Sequence, residues 1–503
     1  MREASPEDRW GARRGALTRG VLLLLAMILV GCRPGGPGPE VSLEGFVRHL
    51  EASVPAWMDR YGIPGASVAL IVDGRTAWAG AFGYADPRYD RTMELDAVYR
   101  VESLSKPVTA WGVLRLVDDG LVELDDPVED HLSEVRLPSS GFDTRQVTIR
   151  RLLSGTAGLP LGTLGMEYAP GEPMPSLEEV LQQEARLVAP PGSGFAYSNP
   201  GFNLLELLVQ DVTGRDFGAY MEERILRPLG MVDAGYGWNA SLADRIPVGH
   251  DLAGRTVEPY TYPERGAGGL FATVEDMARF LAAGMPGSSG GGGGVLEPAS
   301  LRQLYTVEAT GLGIFGFVAD GYGLGHFVEE LPGGVPAIFH GGQGHGWMTH
   351  MHGFPDSGDG IVILTNSQRS WPFMARLLGD WTRWRGLPRV GMTRITPVTR
   401  LLGAFIVVLL AGSAWQMLRL ARELRAGRRR AAPLLSGPRF LRAVQLGVAG
   451  ALAGLVVWAA RAEYFFLASV VPHLMGGLGT ALLLVALVLV ASALLPRDRP
   501  TAR

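Results

Sequence analysis

Ser103-Leu104-Ser105-Lys106 holds the only lysine of a 503-residue chain that carries forty-five arginines. A guanidinium stays protonated in proteins, whereas an amine desolvated beside other groups can lose its proton and act as a base. Ser103 and Lys106 are spaced i, i+3, so on a helix they share one face within mutual reach. Free serine is a weak nucleophile and needs such a base at hydrogen-bond distance. Pro107 suits the first turn of that helix, where the N–H groups lack partners in any case, and a strand-like stretch, 97–101, leads into it. A serine at a helix N-terminus sits beside unpaired backbone N–H groups and the positive end of the helix dipole. Its own N–H can then form half of an oxyanion hole.

Two further stretches carry candidate chemistry. Tyr197 stands in Phe-Ala-Tyr-Ser-Asn-Pro-Gly, residues 195–201. A phenol ordinarily titrates near ~10, and two nearby cations, or one cation and strong hydrogen bonds, would lower it enough for proton relay. Asn199 offers an amide that can hold both Lys106 and a substrate carbonyl; a buried tyrosine followed by a turn is the alternative reading. The third stretch is His340-Gly341-Gly342-Gln343-Gly344-His345-Gly346-Trp347, entered by an apolar run. Bare glycines let a substrate backbone lie close against an edge strand, and the Gln343 N–H would be the second oxyanion donor. His340, His345, His350 and His352 cluster in sequence, but no His-Glu-x-x-His or cysteine pair accompanies them, so a zinc site is not expected. These histidines are expected to line a polar strand edge beside the cleft, and Trp347 to face either the cleft or the core.

The elements that must position these residues are legible in outline. Residues 66–71 and 75–80 flank Val72-Asp73-Gly74, a hairpin signal, and a second hairpin runs from 347 to 366. Between them lie helical patterns, such as 106–118 and 201–212. Strands at both ends with helices between predict an α+β body, about 41–386, whose terminal hairpins join one antiparallel sheet. The glycine-rich stretch 284–294 reads as a surface loop.

Outside the body the sequence points to a membrane. Cys32, the only cysteine, ends Leu-Val-Gly-Cys behind the apolar run 21–30 and an arginine-bearing leader. That run spans about 15 Å as a helix, half of a bilayer core, and suits a signal peptide over 1–31 better than an anchor. A small residue before Cys32 resembles the bacterial lipoprotein signal, which implies lipidation there; an ordinary signal peptide or short anchor is the alternative. After a linker at 387–400, three apolar stretches, about 401–418, 443–460 and 474–495, are expected to span the bilayer. The short arginine-rich loop between the first two belongs on the cytoplasmic side, which puts the body outside. From Leu387 onward the net charge is +12, leaving −16 on the rest. An acidic body argues against nucleic acid as a partner.

Ser103-x-x-Lys106, Tyr197-Ser-Asn199 and His340-Gly-Gly342, in this order, resemble the serine β-lactamase and penicillin-binding family, in particular its class C β-lactamase-like branch of D,D-peptidases, D-aminopeptidases and esterases. Two connecting stretches, 147–160 and 266–277, fit as well, and the resemblance covers about 45–385. It implies an antiparallel sheet flanked by helices, with a mostly helical subdomain, and no cofactor. It implies Ser103 as the acylated nucleophile, Lys106 and Tyr197 as shared base, and Asn199 as orienter of the substrate amide. His340 replaces the lysine with which antibiotic-recognising members grip a carboxylate. Histidine is mostly neutral at pH 7, so weight moves from β-lactamase or strict D,D-peptidase activity toward ester or amide hydrolysis, D-amino-acid peptides of the cell wall included. A penicillin-type receptor acylated once, or a silent wall-binding scaffold, is the alternative of another class; the sequence leaves the oligomeric state open.

Overall fold

Two hairpins nearly three hundred residues apart close the centre of one antiparallel sheet. The computed structural model describes residues 36–138, 140–163, 166–285, 293–431, 439–461 and 466–496. Strand β1 (Gly65–Val72) turns into β2 (Arg75–Asp86) and pairs on its other side with β13 (Asp359–Thr365), from Ala66 opposite Thr365 to Ile71 opposite Gly360. Asp73 and Gly74 sit at φ 51° and 73°, the left-handed pair that a tight two-residue hairpin needs. With β3 (Arg91–Thr92), β9 (Gly321–Tyr322), β10 (Phe327–Leu331), β11 (Val335–Gln343) and β12 (Met348–Phe354), the sheet has eight strands in the order β3-β2-β1-β13-β12-β11-β10-β9. Both predicted hairpins are present, and they meet at β1–β13.

Helices cover both faces, which is why β1, β12 and β13 are buried almost throughout. On one face lie α1 (Leu43–Tyr61) and, later in the chain, the helix Trp371–Trp384; Phe46 stacks on Trp384 at 4.3 Å. α1 is opened by the Ser42 hydroxyl, which accepts from the Gly45 N–H, and closed by left-handed Gly62. The region between β3 and β9 is mostly helical. It contains α2 (Ser105–Asp118), α3 (Asn199–Thr213) and α4 (Val274–Ala283), the last packed on the opposite sheet face with Leu281 against Gly353 and Gly360. β4 (Tyr99–Arg100), β5 (Gly235–Tyr236) and β8 (Leu270–Ala272) form a small sheet there in the order β4-β8-β5, and β6 (Gly249–His250) pairs with β7 (Thr256–Val257).

One expectation is corrected. β12 is an interior strand, and His350 and His352 are buried on the face covered by α5 (Trp371–Trp384), so they line no strand edge. His350 Nε2 lies 3.3 Å from His352 Nδ1, and His352 Nε2 lies 3.5 Å from a Glu329 carboxylate oxygen. Burial pushes His350 down to about 3 and Glu329 up to about 8, so this is a neutral polar chain inside the core. Trp347 is likewise core, fully buried with its ring 5.7 Å from that of Tyr260.

The residues 36–394 form one compact unit. The stretch expected as linker is packed over its first part: Val390 and Met392 are buried, and the Gly391 N–H donates to Glu329 at 2.6 Å. The described part of the second unit holds α6 (Ile395–Arg425), α7 (Arg439–Arg461) and α8 (Pro472–Leu494), each long and apolar enough to cross a membrane. Within it, Arg442 donates to the Ala493 carbonyl and Arg429 to the Leu495 carbonyl, both at 2.6 Å. The proposed signal peptide, Cys32 and most of the glycine-rich loop lie outside the described residues.

Candidate active site

The nucleophile candidate sits where a short strand becomes a helix. β4 runs into a tight turn, Glu102–Leu104, which continues as α2. Ser105 fixes this turn twice: its hydroxyl donates to the Glu102 carbonyl at 2.6 Å and accepts from the Leu270 N–H at 3.0 Å. Ser103 and Lys106 therefore share a face, as their spacing predicts. Lys106 is fully buried. Its Nζ lies 2.8 Å from Asn199 Oδ1, 2.8 Å from the Ala267 carbonyl and 3.2 Å from Ser103 Oγ.

Each acceptor is itself held. Asn199 begins α3, capped by the Ser198 hydroxyl, which accepts from the Gly201 N–H at 3.1 Å. The Asn199 amide donates to the Thr163 carbonyl at 3.0 Å, which fixes its oxygen toward Lys106 and leaves one N–H for a substrate carbonyl. Ala267 is placed by Glu206, buried on α3, whose carboxylate accepts from the Arg265 N–H at 2.6 Å, the Gly266 N–H at 2.7 Å and Arg265 Nε at 2.8 Å.

This geometry has a chemical consequence. Burial lowers the Lys106 amine to about 7, against the opposing charge of Glu102. A neutral amine has two N–H groups, and two carbonyl oxygens take them. Its lone pair is then left for the Ser103 hydroxyl, the arrangement a general base needs.

Tyr197 packs its ring 4.9 Å from Lys106 Nζ, and its wall continues through Phe315 at 5.4 Å and His340 at 6.0 Å. His340 is buried on β11 and its Nδ1 lies 2.9 Å from the Gly341 carbonyl. An acceptor there makes Nδ1 the protonated nitrogen, so Nε2 is a bare acceptor, and it has no partner among the described residues. Burial, with Lys106 next, pushes this imidazole well below its ordinary range. No fixed cation stands at this position.

The end of β11 presses on the turn that carries Ser103. A Cβ on Gly342 would lie 2.4 Å from the Val101 carbonyl, and one on Gly344 would lie 2.2 Å from the Glu102 carboxyl carbon. The Gln343 side chain turns to the other face, where its oxygen accepts from Trp371 Nε1 at 3.1 Å. Only its backbone can serve a site on the Ser103 side. A Cβ on Gly341 would meet the Trp371 ring at 2.6 Å. His345 stands apart near the surface, paired with Glu167 at 3.0 Å, and that hydrogen bond raises its pKa. Among the described residues no group of His, Cys, Asp or Glu side chains could hold a metal ion.

Sequence reasoning misses a buried group beneath the turn. Glu102 adopts φ 53°, a left-handed conformation that costs a non-glycine residue. Its carboxylate accepts from Arg100 Nε at 3.1 Å, Tyr262 Oη at 3.1 Å and Tyr260 Oη at 3.3 Å. Arg100 is enclosed by the rings of Tyr260, Tyr262 and Phe271. The available signal is slight: two opposite charges at i, i+2 in an apolar stretch, hence on one strand face. Glu102 favours the charged form of Lys106, so Glu102→Gln should move the acid limb of the kcat/KM profile to lower pH. A pH–rate profile checks this, and an unmoved limb would remove Glu102 from the base's environment.

The family model described as Beta-lactamase matches residues 47–379. The D-alanyl-D-alanine-carboxypeptidase/endopeptidase AmpH of Escherichia coli (strain K12) is 29% identical over 319 residues, covering 61% of this chain and 81% of its own. Penicillin-binding protein 4 of Amycolatopsis lactamdurans is 26% identical over 347 residues, 66% of this chain and 88% of its own. Among solved structures, the octameric penicillin-binding protein homologue from Pyrococcus abyssi superposes with a TM-score of 0.56 at 26% identity, over 66% of this chain and 77% of its own.

Proposed function

We propose, from the premise that this chain belongs to the β-lactamase family of serine hydrolases, that it is a membrane-tethered, exported hydrolase acting through a Ser103 acyl-enzyme. The observation that carries this reading is the buried Lys106 amine, 3.2 Å from Ser103 Oγ with two carbonyl acceptors on its other side. Ser103 Oγ attacks a substrate carbonyl carbon while its proton passes to Lys106. The N–H groups of Ser103 and Gln343 hold the oxyanion. Collapse expels an alcohol or amine, protonated through Lys106 and Tyr197, and water then attacks the ester and frees the serine.

The neutral His340 favours substrates that need no cation to grip a carboxylate at this position. Small esters and amides fit, and the relatives' names add D-amino-acid peptides to the amides worth testing. Export and attachment rest on the arginine-rich loop at 419–442 and on three helices of membrane-crossing length.

Fluorophosphonate labelling of the folded wild type and of Ser103→Ala tests the assignment. Labelling is expected in the wild type and absent in the variant, followed by repeated turnover of an ester substrate. An unlabelled wild type, or equal labelling of the variant, would overturn the role of Ser103.

A further inference from the structure

The wall around Tyr197 is built largely from stretches that carry no ionised side chain. Residues 187–205, 309–319 and 335–343 contain no Asp, Glu, Lys or Arg. With β9 and β10 they form an aromatic cluster in which Phe315 lies 5.4 Å, Phe327 6.2 Å and Tyr322 6.5 Å from the Tyr197 ring. Phe195 joins it, 6.3 Å from Phe315. Tyr322, Phe327 and Phe339 are buried, whereas Phe195, Tyr197 and Phe315 are half-buried. These three rings therefore present the surface that a ligand can touch.

Phe315 is fixed in place by the turn that carries it. Leu312 and Ala319 are buried on either side, and Ala309 and Tyr322 exchange backbone hydrogen bonds at 3.0 and 2.9 Å. Gly311 and Gly313, at φ 69° and 57°, reverse the chain sharply. The ring is held before any ligand arrives, so binding against it costs little ordering.

Its position has a chemical consequence. The group expelled on acylation departs beside Tyr197, and Phe315 packs on Tyr197. An apolar group laid against these rings removes apolar area from water on both partners. A carboxylate on the same group would be desolvated with no cation on these stretches to pair with it. Arg394 reaches the turn at its far end, where it donates to the Phe317 carbonyl at 2.8 Å.

We propose that Phe315, with Phe195, forms the leaving-group subsite and selects esters and amides whose departing alcohol or amine carries an uncharged aromatic or bulky apolar group. The inference rests on the reading of Ser103 as nucleophile and Tyr197 as proton relay. In acylation the bond from Ser103 Oγ to the carbonyl carbon forms and the bond from that carbon to the leaving oxygen or nitrogen breaks. The leaving atom receives the proton taken from Ser103. Phe315 acts by binding the departing group, so its effect is read in the choice among leaving groups.

The test gives the detergent-solubilised full chain three acetates: those of methanol, benzyl alcohol and 4-carboxybenzyl alcohol. The three alcohols have similar acidity, so the intrinsic reactivity of the esters is nearly matched. The expected kcat/KM for benzyl acetate is about tenfold above that of either other ester. Phe315→Ala should lower the benzyl-to-methyl ratio several-fold, with Phe315→Leu in between. Both esters are read on one preparation, so the ratio does not depend on the folded fraction. Fluorophosphonate labelling of the wild type is measured alongside. A labelled wild type that hydrolyses the three alike, prefers the carboxylate or hydrolyses none overturns the subsite and leaves the Ser103 assignment standing. A ratio unchanged in both Phe315 variants does the same. An unlabelled wild type removes the nucleophile and the subsite together.

Discussion

Lys106→Arg is expected to keep the buried positive charge and lose about 10³-fold or more in kcat/KM, the scale of a missing general base. The wild-type amine is lowered to about 7 by burial, so the wild-type rate should rise as pH increases through that value and the lysine loses its proton. A guanidinium does not deprotonate in this range, so the variant should stay inactive at every pH tested. Size adds to chemistry. The lysine ends among three oxygens, at 2.8, 2.8 and 3.2 Å, and a planar guanidinium needs more room than the amine it replaces. Steady-state kinetics from pH 5 to 9, with thermal melting to verify folding, measure the effect. An arginine variant as active as the wild type would sink the base assignment.

The site was legible in the sequence to the extent that its geometry is local. Ser103 and Lys106 lie one helical turn apart, and Asn199 is placed by its own helix cap, so spacing alone brings out their orientation. The β1–β2 hairpin is equally local, because Asp73-Gly74 carries the turn. The three apolar helices follow from composition. What failed to show were contacts between distant segments. The Ala267 carbonyl that completes the lysine's environment carries no side-chain signal at all, and it is placed by Glu206 across sixty residues. Glu102 looks like an ordinary surface carboxylate until Tyr260 and Tyr262 are folded over it. His350 and His352 stand two residues apart, which puts them on one face of a strand, but which face is covered depends on α5, and that burial makes them core. Periodicity reports that two residues lie together; it does not report what is laid against them.

Gly342→Ala should separate the two halves of the proposed oxyanion hole. The added methyl would sit 2.1 Å from Thr349 Oγ1 and 2.4 Å from the Val101 carbonyl oxygen. Those two atoms are hydrogen-bonded to each other at 2.7 Å, so the methyl wedges into the bond that ties β12 to the Ser103 turn. One neighbour is backbone and the other a β-branched side chain with restricted rotation, so β11 must move. Overpacking of this kind costs about 1–3 kcal/mol, and the strained hydrogen bond adds roughly another 1 kcal/mol. The displacement also draws the Gln343 N–H away from Ser103, and an error near 1 Å in such a site costs about 10²-fold in rate. Gly341→Ala makes the contrast. Its methyl would meet the Trp371 ring on the opposite face, so it should lower the melting temperature with a smaller effect on kcat/KM. Adding Thr349→Ala to Gly342→Ala removes the nearer obstacle and should restore part of the stability. The Val101 carbonyl remains in the way, so the rate should stay low. A Gly342→Ala protein with wild-type kcat/KM would show that catalysis does not depend on β11 lying against the Ser103 turn, and the Gln343 N–H would lose its place in the proposed mechanism.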